Sequence, residues 1–191
     1  GSDYGLSLIT PSSNMFRFYL CYDKTQKDTT VSMISAVIPE LKDSIIYFGT
    51  YYRSGLFEYH LAKGLIKKYN SPKIDYPEHI YDFMPSLSSN DTFYLATVRG
   101  LKAFDMRNKK IINPANLPNG LQEILKNKLL FKFYRDRNNQ LWIGGHGILV
   151  QFDETTLKYH NYTDLVYNAT NSKLVKLYDI FEDHDGNVWV C

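Results

Sequence analysis

Apolar residues along this chain fall into short alternating runs separated by clusters of Asp, Asn, Gly and Ser, and the order of runs returns about every forty-seven residues. The segments Ile46-Tyr47-Phe48-Gly49-Thr50, Phe93-Tyr94-Leu95-Ala96-Thr97, Leu141-Trp142-Ile143-Gly144-Gly145 and Val188-Trp189-Val190-Cys191 align without gaps. Their aromatic residues Tyr47, Tyr94, Trp142 and Trp189 are spaced 47, 48 and 47 apart. After each of the first three comes Gly55-Leu56, Gly100-Leu101 or Gly147-Ile148, opening a second alternating strand that closes on Tyr59-His60, Phe104-Asp105 or Phe152-Asp153. A further apolar strand precedes the aromatic one, over residues 80–84, 130–134 and 174–181, and a weaker one follows, over 66–69, 111–112 and 157–159. The turns at residues 136–139 and 183–187 are the Asp/Asn/Gly clusters that reverse an antiparallel pair.

A unit of this length with four antiparallel strands predicts an all-β chain of β-propeller blades, about four repeats, because helical repeats of similar length would show a 3.6-residue period. Only residues 120–126 read as helical, on a connection between blades. Both ends stop inside a unit. Residues 16–23 look like a second half, with Tyr22-Asp23 at the Phe152-Asp153 position, and 174–191 look like a first half. The expected units are about 15–31 (partial), 32–78, 79–128, 129–173 and 174–191 (partial) within a propeller domain of residues 3–191, after an expression-tag scar at Gly1-Ser2. The two halves would complete one blade in a closed four-bladed ring, but an arc of a larger propeller is the favoured reading. Connections of variable length, residues 71–78 and 113–127, are where a repeat protein places its specificity.

Composition changes this picture little. Sixteen Tyr and eleven Phe favour pleated strands. A net charge of +2 with dispersed Lys and Arg gives no support for nucleic-acid binding. No run approaches the roughly eighteen apolar residues of a membrane span, so no membrane contact is expected of this segment. Cys21 and Cys191 are too few for a disulfide framework and are read as buried free thiols rather than a pair.

The candidate chemistry is sparse. Trp142 and Trp189 recur at one strand position, which points to packing between blades rather than to sugar stacking. The turn Asp183-His184-Asp185-Gly186-Asn187 has oxygen ligands but not the spacing of a calcium loop. His60, His79, His146, His160 and His184 fall in different slots without metal-ligand spacing, and no nucleophile motif is present, so neither a metal, a cofactor nor catalysis is expected. Ligand candidates sit in the loops joining second and third strands: Tyr51, Tyr52, Arg53, Arg99 and His146. Aromatic faces beside a planar fork of donors suit a sugar or a uronate carboxylate.

The stretch Tyr134-Arg135-Asp136-Arg137-Asn138-Asn139-Gln140-Leu141-Trp142-Ile143-Gly144-Gly145, followed by Gly147 and Phe152-Asp153, resembles the two-component regulator propeller repeat. So does Ile180-Phe181-Glu182-Asp183-His184-Asp185-Gly186-Asn187-Val188-Trp189-Val190. The first two units are degenerate, with Tyr in place of Trp and the Asp-Gly turn lost. The resemblance implies part of the periplasmic sensor region of a Bacteroidetes-type hybrid two-component receptor. Such a region would detect an oligosaccharide and signal to a histidine kinase through the packing of a receptor homodimer, and would itself be non-enzymatic. A glycan-active propeller enzyme, sialidase- or lyase-like, and a protein-interaction scaffold remain the alternatives.

Overall fold

The computed structural model describes residues 5–10, 15–20, 34–40, 44–50, 55–69, 79–172 and 175–191. The chain divides into two compact units, Gly1–Ile80 and Tyr81–Cys191.

In the first unit, β1 (Gly5–Thr10) and β2 (Met15–Leu20) form an antiparallel hairpin, Gly5 opposite Leu20. Strands β3 (Ile34–Glu40), β4 (Ile45–Thr50), β5 (Leu56–His60) and β6 (Gly64–Tyr69) form a sheet in sequence order. Its central aromatics are buried, and the Phe48 and Phe57 rings stack with centroids 5.1 Å apart. Ile80, the last residue of this unit, packs on Gly49, where a Cβ would lie 2.9 Å from the Ile80 side chain, so the small residue near the end of the aromatic strand leaves room for it.

The second unit carries β7 (Ile80–Pro85), β8 (Thr92–Thr97), β9 (Gly100–Asp105) and β10 (Lys110–Ile112) in one four-stranded sheet. After helix α1 (Asn119–Leu125) come β11 (Leu130–Arg135), β12 (Leu141–Gly145), β13 (Ile148–Phe152) and β14 (Tyr159–Asn161) in a second. Helix α2 (Thr163–Thr170) then leads to the hairpin β15 (Ile180–Glu182) and β16 (Val188–Val190). Strands β3 and β11 carry a bulge at the same point of the repeat, between Ile34 and Ala36 and between Leu130 and Lys132.

Three elements depart from the sequence reading. Residues 163–170 form a second helix, with Val166 packed towards Trp142. The last first strand is shorter than 174–181, because Leu177 buries its side chain as a plug and regular pairing starts at Ile180. The first hairpin begins at Gly5, earlier than the half-unit expected from residue 16, while Tyr22 and Asp23 lie outside the described residues.

The turn aspartates explain the repeat motif. Asp136 Oδ1 accepts the amides of Asn138 and Gln140, both at 2.9 Å, and its Oδ2 accepts the Trp142 indole N–H at 2.8 Å. Asp183 does the same for Asp185 at 3.0 Å, Asn187 at 2.9 Å and the Trp189 indole at 2.7 Å. One carboxylate therefore closes the turn and fixes the ring six residues on. Asn139 and Gly186 take the matching left-handed position, with φ of 61° and 87°. In the aromatic-Asp pair the carboxylate caps the next turn. Asp153 accepts Thr155 and Thr156 amides at 2.8 and 3.1 Å, and Asp105 accepts that of Asn108 at 2.9 Å. His60 holds this position in the first unit through Nδ1, which accepts the Ala62 amide at 3.1 Å.

Burial separates the two tryptophans. Trp142 is 8% exposed, stacked on Tyr162 at 5.3 Å and packed with Leu149, Leu177 and Ile180, as expected for a ring between blades. Trp189 is 55% exposed, and among the described residues no further strand covers its face. Cys191, expected to be buried, is an exposed free thiol at the end of the same hairpin; Cys21 lies outside the described residues.

Candidate functional site

Helix α1 is a wedge. Leu121 and Leu125 stand four residues apart on one face of the helix, Leu117 lies just before it, and all three are buried in the core formed by the β7–β10 and β11–β14 sheets. Burying three leucines contributes roughly 5–8 kcal/mol before the entropy of ordering the insertion is subtracted. The helix ends against Gly100, which opens β9 at φ 101° and where a Cβ would fall on the Leu125 carbonyl oxygen. Only glycine fits both the left-handed backbone and the close approach of that carbonyl.

This docking leaves a cleft of about 360 Å³ between α1 and β9. Its apolar lining is Leu101, Pro114, Leu117 and Leu125, and its polar lining includes Arg99, Lys102, Asn113, Gln122 and Lys126. Lys102 Nζ donates to Asn113 Oδ1 at 2.8 Å, a bond that uses the Asn113 acceptor and not its amide donors. Gln122 Nε2 donates to the Leu117 carbonyl at 2.7 Å and keeps its own carbonyl oxygen as an acceptor. Lys126 pairs with Glu123 at 3.4 Å, both exposed. Arg99 is anchored by its backbone amide, which donates to Thr97 Oγ1 at 3.1 Å, while its guanidinium has no partner among the described residues. Three cations and one carboxylate thus surround an apolar floor.

Of the residues expected to bind ligand, Arg99 lines this cleft. His146 does not: it sits in the β12–β13 turn, half-buried, bridged through its backbone to Lys176. Tyr51, Tyr52 and Arg53 lie outside the described residues. Lys102, Asn113, Gln122 and Lys126 were not singled out individually. The signal for Asn113, Gln122 and Lys126 was the length and helical pattern of the 113–127 connection, while Lys102 on β9 carried none.

A second polar cluster joins the two sheets. Glu154 accepts from Arg135 Nη2 at 2.6 Å, Ser86 Oγ at 2.8 Å, the Leu87 amide at 3.0 Å and Tyr94 hydroxyl at 3.0 Å, with a side chain only 2% exposed. Burial, with the Glu154 charge beside it, pushes the Tyr94 hydroxyl up to about 12. Three of these bonds fall on Glu154 Oε2 and the Arg135 bond on Oε1, an arrangement that fits a brace between the sheets. Nearby, Lys132 bridges Asp82 at 3.8 Å and Asp179 at 3.4 Å across the first strands. Asp82 also accepts the Phe133 amide at 2.9 Å, and burial raises its carboxyl above the ordinary range.

No family model matches the sequence, and no curated protein does. Among solved structures, the chain is similar to the extracellular domain of the hybrid two-component system BT3049 from B. thetaiotaomicron, with TM-score 0.65 and 18% identity over 98% of this chain and 23% of that one. The extracellular domain of BT4673 from the same organism gives TM-score 0.66 and 17% identity over 100% of this chain and 23% of that one. A streptogramin B lyase gives TM-score 0.61 and 16% identity over 96% of this chain and 54% of that one. The chain therefore spans less than a quarter of these two extracellular domains. With identities this low the likeness establishes architecture, and the architecture is a run of β-propeller blades.

Proposed function

We propose that the chain is a segment of the extracytoplasmic sensing region of a hybrid two-component receptor, non-enzymatic in itself and periplasmic. Its ligand is an oligosaccharide, and the signal is carried by the packing of a receptor homodimer to a histidine kinase elsewhere in the protein. The observation that carries this reading is the likeness to two such extracellular domains over nearly the whole chain, alongside the repeat motif in residues 134–153 and 180–190. The cleft beside α1 supports it, since an apolar floor with amide and cationic groups above suits the mixed surface of a sugar.

A lyase-like reading draws on the streptogramin B lyase likeness. Against it, the buried carboxylates Asp136 and Glu154 of the second unit are each bonded within the fold, to turn amides and an indole or to Arg135, Ser86 and Tyr94. Calorimetry of the complete extracytoplasmic region against an oligosaccharide panel, with mass spectrometry of the recovered sugars, tests both. Saturable binding without turnover is expected. Cleavage of any bound sugar would establish the enzyme, and absence of binding across the panel would reject the sensor ligand.

A further inference from the structure

We propose that the cleft between α1 and β9 selects an acidic oligosaccharide, its carboxylate or sulfate held between Arg99 and Lys102. This rests on the oligosaccharide reading above and specifies its chemistry. Four observations converge on it. The Arg99 guanidinium is at the cleft with no partner among the described residues, so its planar fork is available to an anion. Lys102 donates to a neutral partner, Asn113, so that bond leaves its charge uncompensated. The acid lining the cleft, Glu123, is engaged by Lys126 and leaves the balance positive. Leu101, Pro114, Leu117 and Leu125 give a floor for the C–H face of a sugar ring, while the Asn113 amide group and the Gln122 carbonyl offer a donor and an acceptor to hydroxyls.

The geometry also supplies a readout. Ligand seated there touches the polar side of a helix whose other side is buried between two blades, so occupancy should tighten α1. The test titrates the chain with matched pairs, an oligogalacturonate against the neutral galacto-oligosaccharide and a sulfated against an unsulfated disaccharide, with inorganic sulfate as a separate arm. Arg99→Ala, Lys102→Ala and Arg99→Lys are compared with Lys158→Ala, which removes an exposed cation on the β13–β14 turn.

Acidic sugars should bind at least about tenfold tighter than neutral ones, the worth of one hydrogen bond to a charged group. That margin should shrink as salt rises. Arg99→Ala and Lys102→Ala should each abolish most of it, Arg99→Lys should retain part, and Lys158→Ala should leave it unchanged. Bound acidic sugar should slow amide exchange in residues 121–126. Equal binding of acidic and neutral sugars, or binding indifferent to both alanine variants, overturns the inference while leaving the sensor reading intact. Inorganic sulfate matching the sulfated sugar overturns it in favour of a simple anion site. No binding of any sugar overturns inference and reading together.

Discussion

Asp136 and Asp183 share three bonds, to two turn amides and an indole, Asp183 accepting in addition from Asn187 Nδ2 at 3.1 Å, and they differ chiefly in burial, so replacing each by alanine compares a buried ring with an exposed one. Asp136→Ala strands three donors: two turn amides and the indole N–H of Trp142, in a ring 8% exposed. The turn amides can turn to water, but the indole cannot. One buried unsatisfied donor costs about 1–3 kcal/mol, and loss of charge-assisted bonds in the turn adds to it, giving about 3 kcal/mol in all. Asp183→Ala strands the equivalent donors beside Trp189, 55% exposed, where water replaces the carboxylate. Native-state hydrogen exchange across β11–β14 measures the first directly, with exchange expected to accelerate roughly a hundredfold. A double-mutant cycle with Trp142→Phe should return a coupling of about 1–2 kcal/mol. The reasoning fails if Asp183→Ala loosens its own hairpin as much as Asp136→Ala loosens its sheet, or if the coupling vanishes.

Glu154→Ala should cost about 3–5 kcal/mol in urea unfolding, since it leaves the Arg135 guanidinium without its partner in a largely buried site. Glu154→Gln should recover part of that, and equal losses in both would refute the charge argument. Gly100→Ala forces a left-handed alanine, about 1–2 kcal/mol, onto the Leu125 carbonyl. Exchange protection in α1 should fall, and unchanged protection would show that the helix is not seated there. Asp153 is held down to about 2 by the Thr156 and Thr155 groups, and Asp183 to about 2 by the Trp189 indole and Asn187. Because both are depressed, they stabilise the fold above the ordinary carboxylate pKa of about 3.9, and that contribution drains away as pH falls through about 2. Carboxyl carbon shifts followed by NMR should show midpoints near 2, and ordinary midpoints would refute the caps.

The blade pattern was legible because its markers are local. An aromatic strand, a small residue and a glycine turn recur at fixed spacing wherever one sheet must pack on the next, as Gly144 shows, with a Cβ there meeting Ile180 at 2.8 Å. Helix α2 was not legible. Thr163, Val166 and Thr170 weaken its propensity, and its place is set by Val166 and Tyr162 packing around Trp142. The strand assigned to 174–181 misread apolar alternation that serves to plug a core rather than to pair. Trp189 shows the general limit: repetition specifies which bonds a residue makes, while burial depends on what comes next. For the cleft, Arg99 was readable as a loop cation, but its companions acquire meaning only once α1 docks on Gly100.

The bond between turn aspartate and indole has a consequence for how such repeats diverge. In the two tryptophan repeats, losing the carboxylate strands a ring donor, and losing the indole leaves a carboxylate short of one partner, so each single step is penalised where the ring is buried. A repeat is expected to keep both or shed both. The β7–β8 turn has shed both: its ring is Tyr94, whose hydroxyl is taken by Glu154 of the following sheet, and its loop is longer and serine-rich. Released from the ring, that turn is free to vary in length, so the degenerate blades are where new loop chemistry can be acquired at least cost to the fold.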